Sequence, residues 1–439
     1  MDQKARLLLS AHELSRGTIG DEAVGPSRFL PRRVSTTAAW ALLTASLTTL
    51  SACSTPPQPP ADATKAFVGS AACQSCHQDI YDRWKDTLMA NVLQNPRERP
   101  DAILGDFSMP DPLVTFRKED VDFTYGSKWK QRYFTKVGND YFAFPAQWDV
   151  QAKRWRRYYV EPGTDWWAEH YPADQMQRPT GPLCDGCHSV NYDIRAKTVT
   201  EWNVGCEKCH AAGSLHVEYP IASTIVNPAR LDDVRANDVC IQCHSQGRPR
   251  TNPIEGVYYD WPVGYQPGDR LTDFWMLEEH HLGKESFSHW PDGTAHKNRM
   301  QGNDWVQSQM SVKGVRCYAC HDVHGTPNEA DVRRPGDGIC LDCHGPQRQP
   351  GPPGTVEYHT QHKADSEGSR CLACHMPLVA RTVGDVNVRS HTFRFISPMA
   401  TERHGIPNPC TSCHKDRSVE WARQELKKWP GVSPWRVAE

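Results

Sequence analysis

The sequence predicts a mainly α-helical and irregular chain with low secondary-structure content and one small antiparallel β-insertion. Three observations lead to this prediction. Apolar residues make up only 38% of the 439 residues, which is low for a chain that builds a large core of its own. Proline accounts for 34 residues and glycine for 30, and both interrupt regular structure. The pentapeptide Cys-x-x-Cys-His also recurs eight times.

The eight pentapeptides contain 16 of the 17 cysteines. Their cysteine pairs and histidines are Cys73, Cys76 and His77; Cys184, Cys187 and His188; Cys206, Cys209 and His210; Cys240, Cys243 and His244; Cys317, Cys320 and His321; Cys340, Cys343 and His344; Cys371, Cys374 and His375; Cys410, Cys413 and His414. Two thiols at this spacing can each form a thioether with one haem vinyl group, and the adjacent histidine then reaches the iron. The sequence therefore predicts eight covalently bound c-type haems.

Zinc and simple redox chemistry explain the motifs less well. A zinc-ribbon array needs cysteine pairs, but zinc does not require a histidine directly after every second cysteine. A thioredoxin-like motif would occur once, inside a βαβ pattern. Haem also accounts for the composition, because about 48 residues per haem need only wrap the porphyrins. We therefore expect a multihaem cytochrome wrapped around a stacked haem chain.

Charge excludes nucleic acid as a partner. The formal net charge is −2 at pH 7, and it becomes about −4 without the first 52 residues, which carry two more basic than acidic residues. Haem propionates would take the holoprotein to roughly −12 when oxidised and −20 when reduced. We expect an acidic body with no affinity for nucleic acid.

The first 52 residues have the features of an export signal. Arg32 and Arg33 form a basic region, and residues 36–50 are apolar but too short to span a membrane stably. The sequence Leu50-Ser51-Ala52-Cys53 resembles the lipobox of bacterial lipoproteins, whose cysteine is acylated. We expect an exported bacterial lipoprotein, periplasmic or associated with the outer membrane and anchored through Cys53. An ordinary secretory signal with an incidental cysteine is the alternative.

Composition divides the chain into six segments. They are a lipoprotein signal peptide (1–52), a lipidated proline-rich tether (53–66), a module with the first haem and the β-insertion (67–165), a segment with haems two to four (166–250), a surface excursion that supplies possible axial ligands (251–316), and the last four haems with a C-terminal helix (317–439). Alternating aromatic residues around the turn Gly138-Asn139-Asp140 predict the insertion. Short helices are expected at 271–279 and 304–312, and a helix at 416–429 that packs on the last haem.

Eight haems need up to eight distal ligands, and a neutral imidazole is the usual sixth ligand of a low-spin haem. After residue 52, eleven histidines lie outside the motifs: His170, His216, His280, His281, His289, His296, His324, His359, His362, His391 and His404. Complete bis-histidine coordination is therefore possible. His324 cannot bind the same iron as His321, because one turn cannot reach both faces of a porphyrin; it would serve a neighbouring haem.

The distal candidates differ in strength. His216, His324, His391 and His404 lie close to motifs in sequence, and His296 is a further candidate. Of the pairs 280/281 and 359/362, one member each is expected to ligate, and His362 is the candidate in the second pair. Methionine would raise the potential of its haem. Met89 and Met310 lie near motifs, but each is more often a packing residue.

Sequences around the motifs carry a family resemblance. They include Cys320-His321-Asp322-Val323-His324-Gly325 and residues 67–70, 178–183, 202–205, 292–300, 374–377, 389–394 and 407–410. On these the chain resembles the multihaem c-type cytochromes of the cytochrome c-552/4 type with paired CXXCH motifs. The resemblance covers nearly all of the chain after Phe67. It implies stacked haem pairs, distal ligands at His170, His216, His324, His391 and His404, and a role in respiratory or extracellular electron transfer.

Two functions remain open. The first is an electron carrier without a substrate-turnover site, conducting between a quinol-linked membrane donor and a periplasmic or extracellular acceptor protein. The alternative is an octahaem oxidoreductase of small nitrogen or sulfur compounds, such as nitrite, hydroxylamine or tetrathionate. Such enzymes keep one iron open or lysine-ligated, and no motif here reads Cys-x-x-Cys-Lys. Copies could also polymerise into a haem filament, on which the sequence is silent.

Overall fold

The computed structural model describes residues 57–158, 179–286, 288–345, 356–383 and 386–430. The predicted signal peptide, the lipidation candidate Cys53 and the distal candidate His170 lie outside the described residues.

The helices are short and follow one another through irregular connections. The α-helices are α1 (Gln78–Trp84), α2 (Glu207–His210), α3 (Ser214–Glu218), α4 (Asp233–Ile241), α5 (Gln301–Trp305), α6 (Gln309–Val312), α7 (Cys317–Cys320), α8 (Gly338–Leu341), α9 (Val356–Thr360), α10 (Cys371–His375), α11 (Pro398–His404), α12 (Pro409–Cys413) and α13 (Val419–Lys427). Several begin at a side-chain cap: Asp232 accepts from the Arg235 N–H, and Ser418 from the Trp421 N–H. In the described part of the chain, none of these helices has the length and apolar character needed to cross a membrane.

The β-insertion is a five-stranded antiparallel sheet in the order β1-β2-β3-β4-β5. Its strands are β1 (Leu93–Gln94), β2 (Phe123–Tyr125), β3 (Lys130–Val137), β4 (Asp140–Asp149) and β5 (Arg154–Arg157). Val137 pairs with Asp140 across the hairpin, and Gly138 takes a φ of +64° there, a conformation that glycine adopts without strain. The low helix content and the small antiparallel insertion with its turn are as predicted.

Three two-stranded ladders complete the regular structure of the described residues. They are β6 (Ser189–Val190) with β7 (Glu201–Trp202), β8 (Gly247–Pro249) with β9 (Trp275–Leu277), and β10 (Leu378–Val383) with β11 (Val386–Arg389).

Both faces of the five-stranded sheet are covered. Tyr133 and Phe134 are consecutive in β3, yet they are 0% and 2% exposed. Tyr133 belongs to a cluster with Trp148 and Trp155, whereas Phe134 belongs to a cluster on which Cys184 packs. Since successive strand residues point to opposite faces, the second face of the sheet is the one that rests on the second motif.

Residues 251–316 differ from the expected surface excursion. Leu271, Trp275 and Trp305 are buried together, so much of the segment is interior. The prediction of a helix at 271–279 was wrong. After a single 3₁₀ turn, Trp275–Leu277 forms β9 against β8. Trp275 donates its indole N–H to the Ser245 hydroxyl at 3.1 Å, and such tertiary contacts override local periodicity.

The other two expected helices occur with changed bounds. The helix predicted at 304–312 is split into α5 and α6, because the Ser308 hydroxyl caps a new start by accepting from the Ser311 N–H. The C-terminal helix is α13, with Ala422 and Leu426 buried. The Trp421 ring of this helix lies 4.9 Å from the His414 ring of the last motif.

Candidate functional site

Each Cys-x-x-Cys-His motif forms one helical turn. In seven motifs the histidine N–H donates to the carbonyl of the first cysteine at 2.8–3.1 Å, and the remaining motif, Cys371–His375, is helix α10. Positions i, i+3 and i+4 of such a turn share one face. Both sulfurs and the imidazole of a motif therefore point to the same side, as one flat ligand requires.

The motifs also approach one another through their sulfur atoms. None of the sixteen motif cysteines is in a disulfide bond. Thiols of different motifs lie close enough to shift each other's pKa: Cys73 with Cys206, Cys187 with Cys243, Cys240 with Cys317, and Cys340 with Cys371. Weaker electrostatic effects on the pKa link Cys209 with Cys240, Cys320 with Cys343, and Cys374 with Cys410. These contacts arrange the motifs in the order 1-3-4-5-6-7-8, with motif 2 beside motif 4.

Four motif histidines each face a histidine from elsewhere in the chain, and the distance between the two rings is nearly the same in all four pairs. The ring centroids lie 6.3 Å apart for His77 and His216, 6.3 Å for His210 and His324, 6.1 Å for His375 and His359, and 6.2 Å for His414 and His362. Two imidazoles on opposite sides of one metal ion, each nitrogen about 2 Å from it, have centres roughly 6 Å apart. The observed spacing therefore fits a metal ion bound between the two rings.

The hydrogen bonds of these rings leave one nitrogen for a metal. In six histidines Nδ1 bonds to a backbone carbonyl, at 2.5–3.3 Å: His210, His216, His321, His362, His375 and His391. A carbonyl can only accept, so Nδ1 carries the proton of the neutral ring and Nε2 is left with a free lone pair. This is the tautomer that axial ligation through Nε2 requires.

Burial keeps several of these rings neutral. It lowers the pKa of His188 to about 3 and that of His391 to about 4, because the imidazolium form is poorly solvated in the interior. Burial also lowers the pKa of His210 and His244. Only the neutral ring can donate a lone pair to iron, so these positions are prepared for ligation throughout the physiological pH range.

The remaining distal candidates are placed less simply. His391 lies near His321 and His244, both of which act on it electrostatically. His296 is buried and its ring lies 4.2 Å from that of Trp290, and His404 ends helix α11. Met310 packs against a hydrophobic cluster. The Met89 carbonyl accepts from the Val204 N–H.

His359 and His362 show what the sequence did not reveal. We expected one of the two to ligate, with His362 as the candidate, yet each faces a different motif histidine. Helix α9 ends at Thr360, and the Nδ1 atom of His362 bonds to the carbonyl of that residue at 2.5 Å. The helix end therefore separates the two rings. The sequence signal that could have indicated this is the spacing of three residues, because a single turn cannot place two rings on opposite faces of one porphyrin.

Two glutamates, the buried Glu207 and the half-buried Glu201, attach the first motif to the third, and the sequence did not single them out. Glu207 lies inside the third motif and accepts the N–H groups of Val68, Gly69 and Gly213 at 2.7–3.1 Å. Glu201 accepts from both the N–H and the hydroxyl of Ser70. Residues 68–70 lead directly into Cys73, so these carboxylates fix where the first motif lies.

A buried network also surrounds the second motif. Asp185 accepts the Tyr125 and Thr180 hydroxyls, both at 2.8 Å, and burial raises the pKa of Asp185 to about 6. The Tyr125 ring lies edge-on to His188, with centroids 5.2 Å apart. Strand β2 thus carries the β-insertion into contact with a motif histidine.

Comparison with protein families finds a match in the second half of the chain. Residues 310–349, which contain the fifth and sixth motifs, match the family described as the doubled CXXCH motif. Among curated proteins, the chain is 20% identical to the dissimilatory sulfite reductase MccA of Wolinella succinogenes over 404 aligned residues, covering 71% of this chain and 51% of the relative. The chain therefore spans about half the length of that relative.

Similarity to solved structures extends over more of the chain. The outer cell wall cytochrome OcwA superposes with a TM-score of 0.67 at 22% identity, covering 83% of this chain and 86% of that one. The undecahaem S-layer cytochrome of Carboxydothermus ferrireducens gives 0.47 at 18% identity over 83% and 61%. The octahaem sulfite reductase MccA of Wolinella succinogenes gives 0.41 at 17% identity over 75% and 58%. The first comparison shows that this chain and OcwA have a common fold.

Proposed function

Because this chain is a multihaem c-type cytochrome with covalently bound haems, we propose that it carries electrons through eight of them in the cell envelope. The observation that carries the proposal is the set of four facing histidine pairs at 6.1–6.3 Å, each with one member in a Cys-x-x-Cys-His motif. Each bound haem iron would take up and release one electron. The protein supplies position, axial ligands and a dry surrounding.

The cysteine pairs would form the thioethers and the motif histidines the proximal ligands. We assign distal histidines to four haems: His216 to the first, His324 to the third, His359 to the seventh and His362 to the eighth. An iron held by two imidazoles has no vacant position for a substrate, which suits a conductor. His391 is our candidate for the fourth or fifth haem, since both motif histidines lie near it.

The order of sulfur contacts supports a stacked haem chain with accessible ends. We propose the route 1-3-4-5-6-7-8, with the second haem as a branch at the fourth. Cys76 and Cys413, in the motifs at the two ends, are exposed, as is Cys343, whereas Cys187 of the branch is buried. We propose that electrons enter and leave at the first and last haems, which end the route, through a quinol-linked donor and a periplasmic or extracellular acceptor protein.

We further propose that the chain is exported and held at the membrane through an acylated Cys53. The lipobox-like sequence ending at Cys53 supports this. The similar cytochrome OcwA is an outer cell wall cytochrome.

A second candidate function is reduction of a small oxyanion at the second haem. Three cationic side chains, Arg299, Lys208 and Arg132, act on buried His188, and such charges attract an anion such as sulfite or nitrite. The curated relative is a sulfite reductase. A high-spin ferric signal in electron paramagnetic resonance, together with turnover of sulfite or nitrite by the purified holoprotein, would favour this function over simple conduction.

The experiment that tests the main proposal counts haems and open irons. The holoprotein is matured in a bacterium with a c-type haem assembly system, and intact mass gives the number of bound haems; we expect eight. Ferrous spectra with and without carbon monoxide then count irons that lack a sixth ligand. His216→Ala should add one carbon monoxide site, because it removes the ring opposite His77, while Val217→Ala, at an exposed position of the same helix, should add none.

A missing prosthetic group at the motif cysteines would overturn the covalent assignment. An unchanged carbon monoxide count in His216→Ala would overturn the axial pairing.

A further inference from the structure

The ring of His324 has a different hydrogen-bond partner from the six histidines that donate to backbone carbonyls. Its Nδ1 atom lies 3.1 Å from the carboxylate oxygen Oδ1 of Asp322. The same oxygen accepts the backbone N–H of His324 at 3.2 Å. Asp322 is 19% exposed at its side chain, so the carboxylate is largely withdrawn from water. Its charge therefore acts on the imidazole with little screening.

A carboxylate and a carbonyl have different effects on a metal-bound imidazole. A carboxylate that accepts the Nδ1 proton makes the ring more basic and a stronger donor to the metal. A stronger donor stabilises ferric iron more than ferrous iron, because the oxidised ion carries the larger positive charge. The haem that receives this ring should therefore be harder to reduce than one whose ligand donates to a carbonyl.

The other oxygen of Asp322 faces two arginines. Arg83 approaches Oδ2 at 3.3 Å, and Arg333 approaches it at 3.8 Å. Arg83 also donates to the carbonyl of Gly325 at 2.8 Å. Gly325 packs so closely on helix α1 that an added Cβ would lie 2.7 Å from the Arg83 carbonyl. The loop that carries His324 is therefore docked on the helix that follows the first motif.

We propose that Asp322 and Arg83 act as an opposed pair of positioning residues that set the reduction potential of the third haem. Asp322 lowers the potential by accepting a hydrogen bond from Nδ1 of His324. Arg83 limits that effect by forming an ion pair with the same carboxylate. The proposal rests on the proposed function in one respect, that a haem is held between His210 and His324.

The position of this haem gives the pair its importance. Sulfur contacts place the third motif between the first and the fourth, so on the proposed route an electron from the first haem must pass through the third. A haem of low potential at this point would hold an electron only briefly. It would therefore act as a barrier to electron transfer between the first haem and the other haems. Arg83 lies on helix α1, which begins directly after His77.

The test measures the midpoint potential of one haem in three variants of the holoprotein and uses a fourth variant to assign its signal. Removal of one low-spin ferric signal in His324→Ala assigns the resonance of the third haem, and redox titrations followed by electron paramagnetic resonance give its midpoint. Asp322→Asn keeps the shape and an acceptor oxygen but removes the charge, and should raise the midpoint. We expect at least a tenfold change in the ferric-to-ferrous ratio at a fixed potential, about 59 mV for one electron.

Arg83→Gln keeps a donor for Gly325 and removes the charge that faces Asp322, so it should lower the midpoint. Opposite signs distinguish tuning from structural damage, which would move both variants the same way or convert the haem to high spin. Asp82→Asn is the matched control. It removes a carboxylate from the same helix that bonds to Lys85 and Gln78, and should leave the midpoint unchanged.

An unchanged midpoint in Asp322→Asn or Arg83→Gln, or shifts of equal sign, overturns the tuning proposal while leaving the axial pair intact. If His324→Ala removes no low-spin signal, the assignment of His324 to the third haem itself fails, and the tuning proposal falls with it.

Discussion

Replacing Glu207 by glutamine tests how the first and third motifs are held together. Its carboxylate, 2% exposed, accepts three backbone N–H groups. A hydrogen bond to a charged group contributes about 1.5–3 kcal/mol, and a buried donor left without a partner costs about 1–3 kcal/mol. Glutamine keeps one acceptor oxygen but turns an NH₂ group toward the remaining donors. We therefore expect Glu207→Gln to lower the free energy of unfolding by roughly 3–5 kcal/mol.

Guanidinium denaturation of the holoprotein, followed by Soret absorbance and tryptophan fluorescence, measures this loss. Glu218→Gln is the control, because Glu218 is an exposed glutamate on α3, and surface changes stay within about 0.5 kcal/mol. The first motif should also loosen, since residues 68–70 lead into Cys73. If the two variants unfold at the same denaturant concentration, the reasoning about Glu207 is refuted.

Two further variants test the surroundings of the second motif. A methyl group at Gly186 would lie 1.9 Å from the Trp261 ring, so Gly186→Ala should lower the free energy of unfolding by about 1–3 kcal/mol in denaturation experiments. Gly338→Ala is the control, because its methyl group would have contacts no closer than 3.7 Å, and it should lower the free energy of unfolding far less. Equal losses in the two variants would contradict this reasoning. Burial raises the pKa of Asp185 from 3.8 to about 6, so its stabilising contribution is complete below pH 3.8 and is lost as the pH rises through 6. Asp185→Asn should therefore gain stability relative to wild type by about 2 kcal/mol between pH 4.5 and pH 7, and a constant difference across that range would count against burial as the cause.

The features that the sequence predicted correctly are local ones. The turn at Gly138 and the alternation that defines β3 and β4 depend on a few neighbouring residues. The interior position of Trp275 could not be inferred in the same way, because it depends on contacts with strand β8 and with Ser245. Proline and glycine between 253 and 268 suggested a surface path, but such residues also allow a chain to fold back into the interior.

Which histidine rings face each other could not be predicted from the sequence, for a related reason. His216 and His77 lie more than a hundred residues apart, as do His324 and His210, so spacing along the chain carries no information about which rings meet. The pairing is fixed by interactions between the segments that carry the rings. Glu207 and Glu201 bind residues 68–70, which lead into the first motif. Arg83 binds the loop that carries His324.

The same long-range pairing implies that, in the proposed holoprotein, haem ligation and folding stabilise each other. The hydrophobic clusters of the described residues are small and separate, and the motif cysteines form no disulfides with one another. An axial pair that joins His77 to His216 closes a loop of more than a hundred residues, and cross-links across loops of about that length reduce the unfolded-state entropy by an amount worth about 4–5 kcal/mol. The bis-histidine geometry would then serve stability as well as conduction, because the bonds that exclude a substrate from the iron are the bonds that hold distant segments together.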